Sequence, residues 1–125
     1  VVRVARGEFL RMAQREFEGL PPQVRRLLHN VEIGVKALPG PEAGRWKGSR
    51  RLLGLYSGLT SEQMLSSMTG THLPSRIVLY QRNLEDGCGS LDELSRRVAT
   101  TLRHEIAHHF GFSEEELRRA WPEGA

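Results

Sequence analysis

The sequence predicts an α+β fold, with helices towards its two ends and short strands between them. Three observations lead there. Apolar residues recur at three- and four-residue spacing from Phe9 to Phe17 and again from Leu91 to Phe110, the period of a helix with one buried face. Val31 to Leu38 and Ile77 to Tyr80 hold β-branched and aromatic residues in short runs, which suit strands. Glycine and proline gather between these stretches, where the chain must turn. At 125 residues the chain is long enough for one modest core, and residues 1–125 are expected to form a single domain.

From Glu8 to Glu18, Phe9, Met12, Ala13 and Phe17 share one face of a helix that ends near Gly19. Pro21-Pro22 opens a short second helix through Leu28, since proline is tolerated in a first turn. Val31 to Leu38 alternates with period two and reads as a half-exposed strand. Pro39 to Gly48, with two Pro and three Gly, reads as loop. Leu52 to Tyr56 fits a short strand. Thr60 to Met68 fits either a helical turn under a Thr60…Gln63 cap or irregular chain. Ile77-Val78-Leu79-Tyr80 is the best strand signal of the second half. It is expected either as a central strand or as an edge on which an extended peptide could pair.

The last helix is the most clearly written. Ser90-Leu91-Asp92-Glu93 is a capping box: the Ser90 hydroxyl can accept from the Glu93 amide while the Glu93 carboxylate reaches back to Ser90. Leu91, Leu94, Val98, Leu102, Ile106 and Phe110 then form one apolar stripe, and Gly111 suits the stop. Within it lies His104-Glu105-Ile106-Ala107-His108, the pattern H-E-x-x-H. Residues four apart share a helical face, about 6 Å apart along the axis, so two imidazoles held this way can grip one zinc ion. Glu105 sits beside such an ion and can take a proton from the water it activates. From the composition of 5 His and 13 Glu, roughly 0.02 accidental matches are expected in the chain. At about 100° per residue the two histidines fall opposite Leu102 and Ile106, so the stripe can pack on a core while the motif faces a cleft. His109 lies about 100° round from His108 and reads as a packing or supporting residue.

Catalytic zinc usually takes three protein ligands. Continuing the motif gives H-E-x-x-H-x-x-G-x-x-E from His104 to Glu114, a spacing similar to that of the metzincin peptidases, with Glu114 where those place a third histidine. Glu115 and Glu116 are the alternatives. Ser113 to Glu116 also forms a second capping box, which employs Glu116 and leaves Glu114 free. No methionine follows the motif, since Met12, Met64 and Met68 all precede it, so no Met-turn is expected.

From Leu52 onward the chain resembles a family of small bacterial zincin-like metallopeptidases. The resemblance rests on Leu53-Gly54-Leu55-Tyr56-Ser57-Gly58, on Leu73 to Tyr80, and on His104 to Phe112 followed by the acidic Glu114. It implies a compact minimal zincin domain: a small mixed sheet packed on an N-terminal helix and a long zinc-binding helix. It also implies zinc as cofactor, His104, His108 and Glu114 as its ligands, Glu105 as general base, and a peptide or protein as substrate. Tyr80, Tyr56, His72 and Arg76 are candidates for the further donor that a developing oxyanion needs, and Thr101, one turn before Glu105, for lining the cleft. The reading of another class is a zinc-stabilised binding module without peptidase activity, which a closed fourth ligand such as His72 would mark.

Composition narrows the remaining classes. No apolar run is long enough to span a bilayer, and no segment resembles a secretion signal. One cysteine, Cys88, allows no internal disulfide and points to the cytoplasm. The formal charge is +3, with 16 Arg against 2 Lys, but the arginines are spread in pairs such as Arg25-Arg26, Arg50-Arg51, Arg96-Arg97 and Arg118-Arg119. No nucleic-acid reader motif accompanies them, so they read as solvated surface, and nothing specifies an oligomer.

Overall fold

Three β-strands and four α-helices make up most of what the structure, a computed structural model, describes: residues 2–28, 30–57, 75–110, 115 and 119, with backbone only at 27 and 108–110. Helix α1 (Arg6–Glu18) buries Phe9, Met12 and Ala13, the residues its spacing selects, and Gly19 closes it with its amide on the Arg15 carbonyl at 3.0 Å. Pro22 opens α2 (Pro22–Arg25), which tightens into a 3₁₀ turn over Arg26–Leu28. Strand β1 (Val31–Lys36) stops two residues short of the expected Leu38. The expected loop after it holds 3₁₀ turns over Pro41–Trp46, broken at Gly44, whose φ of 56° suits glycine. Strand β2 (Gly54–Ser57) begins two residues later than expected. Residues 58–74, which include the Thr60–Met68 stretch, lie outside the described residues.

Strand β3 (Ser75–Tyr80) is the middle of the sheet, whose order is β1-β3-β2. It pairs parallel with β1, Ile77 against Ile33, and antiparallel with β2, Ile77 against Tyr56. Ile77–Tyr80 is therefore a central strand, and the alternative expectation of a peptide-pairing edge is corrected. The reason is visible in the run itself: four successive apolar residues, each 5% exposed or less, mark a strand covered on both faces.

Helix α3 (Gln81–Glu85) follows β3 without a break and was not expected. It is a hub of buried polar groups. The Glu85 carboxylate, 1% exposed, accepts from Arg3 at 3.1 Å, from the Val4 amide at 2.9 Å and from Gln81 at 3.0 Å. This docks the N-terminal segment on the domain. Arg97 donates from the next helix to the carbonyls of Leu84 and Asp86, so half of the Arg96-Arg97 pair is a clamp rather than solvated surface. Cys88 is buried, its thiol on the Leu84 carbonyl at 3.3 Å.

Helix α4 (Leu91–Phe110) runs for 20 residues. Ser90 caps it as expected, accepting from the Glu93 amide at 3.2 Å. The returning arm differs: the Glu93 carboxylate takes the Gly89 amide, at 2.9 Å, instead of that of Ser90. Leu94, Val98, Leu102 and Ile106 are fully buried against α1 and the sheet, whereas Leu91 is 49% exposed and lies beyond the end of the core. Among the described residues no helix is long and apolar enough to cross a membrane.

Candidate active site

The site arises where α4 meets β2. A Cβ added to Gly54 would stand 3.0 Å from Thr101 Cγ2 and 3.3 Å from the Val78 carbonyl oxygen, so any side chain here makes the strand or the helix give way. Gly54→Val should push the two apart and cost about 2 kcal/mol of stability, read by denaturant unfolding. An unchanged midpoint would show that the contact has slack.

Beside this contact, His104 and Glu105 line a cleft of about 310 Å³ with Arg51, Leu52, Leu53, Gly54, Thr100 and Thr101. His104 is exposed and Glu105 half-buried, while Leu102 and Ile106 are fully buried on the other side of the helix. Thr101 lines the cleft, with its hydroxyl on the Arg97 carbonyl at 2.8 Å and its methyl towards Gly54. The backbone stays helical through position 108, one turn beyond His104. The side chains of His108 and His109, and residues Gly111, Ser113, Glu114 and Glu116, lie outside the described residues. Glu115 is exposed in helical backbone. Among the described residues no three His, Cys, Asp or Glu side chains come together as a metal cluster, and two of the three expected ligand side chains are not among them. The donors fit zinc in kind: an exposed imidazole on a cleft, a second histidine position one turn on, and carboxylates in the acidic stretch that follows.

The candidates for an oxyanion donor fall elsewhere. Tyr80 is fully buried and donates its hydroxyl proton to Glu42 at 2.9 Å. Burial, then that hydrogen bond, then the charges of Glu42 and Glu105 push its phenol above the usual range, so it stays protonated. Tyr56 belongs to the core, Arg76 pairs with Glu32 at 3.2 Å, and His72 lies outside the described residues. None of the three described candidates lines the cleft.

Glu42 is itself held low. The Lys36 ammonium at 2.7 Å, then the Gly40 amide, bring its carboxyl from 4.5 to about 2. The folded chain thus binds fewer protons here than the unfolded chain between these two values. The stabilisation is complete above about 4.5 and is lost as the pH falls towards about 2. Glu42→Gln should flatten acid unfolding in that window; an unchanged acid limb would remove Glu42 from it.

Sequence reasoning missed what holds the wall opposite the motif. Asn83, 1% exposed, donates both amide hydrogens to the carbonyls of Ser49 and Leu52, each at 2.8 Å, and so fixes the loop that carries Arg51 to Leu53. These contacts span 34 and 31 residues, and no local pattern announces them.

A family model described as zincin-like metallopeptidase matches residues 28–122, taking in the whole sheet, α3 and α4. No curated protein matches the chain.

Proposed function

Because the chain belongs to the zincin-like metallopeptidase family, we propose that it is a zinc-dependent peptidase whose reaction is run by Glu105 in the cleft beside β2. One observation carries the reading: His104 and Glu105 face the cleft from a helix whose opposite side is fully buried. Histidines 104 and 108 would hold the metal with Glu114. Zinc bound there would supply Lewis-acid chemistry, acidifying water and polarising a substrate carbonyl.

The chain's own residues do the rest. Glu105 is placed to accept a proton from the attacking water and return it to the leaving amine, which needs one carboxylate that is ionised first and protonated later. Half-burial keeps it reachable for solvent. Leu53 and Gly54 offer the substrate a wall, and β2, paired with β3 on one side, is the strand along which an extended peptide can lie. A cytoplasmic setting fits the single cysteine, which forms no disulfide.

His104→Ala should lose the metal. Elemental analysis of the purified variant should show zinc falling from about one per chain to a small fraction of that, with hydrolysis of a peptide library falling in step. Full zinc occupancy in that variant would overturn the assignment of His104. A scattering map at the zinc edge would test Glu114 directly.

A further inference from the structure

We propose that Arg51 makes this cleft select peptides that carry a carboxylate side chain next to the scissile bond, an inference that rests on the peptidase reading. Arg51 lines the cleft with His104 and Glu105 and is exposed. Its neighbours in kind are engaged: Arg50 faces Asp86 at 3.7 Å, and Arg97 is bound to the carbonyls of Leu84 and Asp86. The guanidinium of Arg51 has no hydrogen bond or ion pair among the described residues, and it is the arginine that the cleft presents to a ligand.

Its loop is held from both ends. The Ser49 hydroxyl accepts from the amides of Arg51 at 3.1 Å and Leu52 at 3.4 Å, while Asn83 ties down the carbonyls of Ser49 and Leu52. Among the described residues the buried Asn83 Oδ1 has no hydrogen-bond partner, so its amide hydrogens carry the anchoring. With the loop backbone already fixed, only the Arg51 side chain has to be ordered when it is engaged, which is what a specificity element requires. The guanidinium fork matches a carboxylate with two parallel hydrogen bonds and repels an ammonium, so the same residue attracts acidic peptides and rejects basic ones.

The test uses the zinc-loaded full chain and peptides identical except for Glu, Gln or Lys on either side of a cleavable bond. Hydrolysis is followed with the wild type, and affinity is read by fluorescence anisotropy on Glu105→Gln, where turnover does not interfere. The Glu peptide should be favoured over its Gln isostere about fivefold at low salt, a ratio that shrinks towards one at about 0.5 M salt. Arg51→Gln should bring the ratio to about one, and Arg51→Glu should reverse it in favour of Lys. The same ranking in Arg51→Glu as in the wild type overturns the proposal, as does binding or cleavage without any charge preference. Charge-ranked binding without cleavage would leave the acidic-peptide site standing and sink the peptidase reading. Cleavage without ranking would do the reverse.

Discussion

Glu105→Gln is expected to lower kcat/KM for peptide hydrolysis by about 10³-fold while leaving the zinc content and the fold as they are. The amide has the shape of the carboxylate but cannot accept and return a proton, so the substitution removes that chemical step. In activation free energy the loss corresponds to about 4 kcal/mol. Stability should move by less than about 0.5 kcal/mol, because Glu105 is half-buried at the edge of a cleft and not part of the core cluster. Three measurements on one preparation separate the roles: elemental analysis, thermal unfolding and single-turnover hydrolysis. Full activity would remove Glu105 from the chemistry. Loss of zinc would make it a ligand instead.

What could be seen in the sequence was what repeats locally. Helix α4 announces itself because Leu94, Val98, Leu102 and Ile106 recur every four residues over several turns, and the same spacing leaves His104 pointing away from them. Leu91 fits the spacing but not the burial, since period alone cannot say where the core ends. Ile77 to Tyr80 held its answer in plain view: a strand with no polar alternation is buried on both faces, so the central position followed from the residues themselves. Helix α3 was hidden for the opposite reason. It is five residues long, follows β3 without a breaker, and buries Gln81, Asn83 and Glu85, residue types that a hydrophobic pattern counts as surface. Their partners, from Val4 to Leu52, are distant in sequence, and only the folded chain brings them together. The cleft was thus half legible: the motif side by spacing, the opposing wall only as the short strand around Leu53 and Gly54, without the contacts that hold it there.

That division of α4 into two faces makes a second strong prediction, on stability. Leu102→Ala should cost about 3 kcal/mol, because Leu102 is fully buried in the main core cluster and its truncation leaves a cavity that α1 and the sheet fill only in part. For a domain of this size the midpoint of thermal unfolding should fall by roughly 10 °C. Well below that midpoint, however, kcat/KM should stay near the wild-type value, since His104 and Glu105 lie on the other side of the helix and the backbone between them is held by its own hydrogen bonds. Leu102→Ala and Glu105→Gln, three residues apart, are therefore opposite experiments: one weakens the fold and spares the chemistry, the other spares the fold and stops the chemistry. If Leu102→Ala instead lost activity in proportion to stability even at low temperature, the helix would not be the rigid partition between core and cleft that its burial pattern indicates.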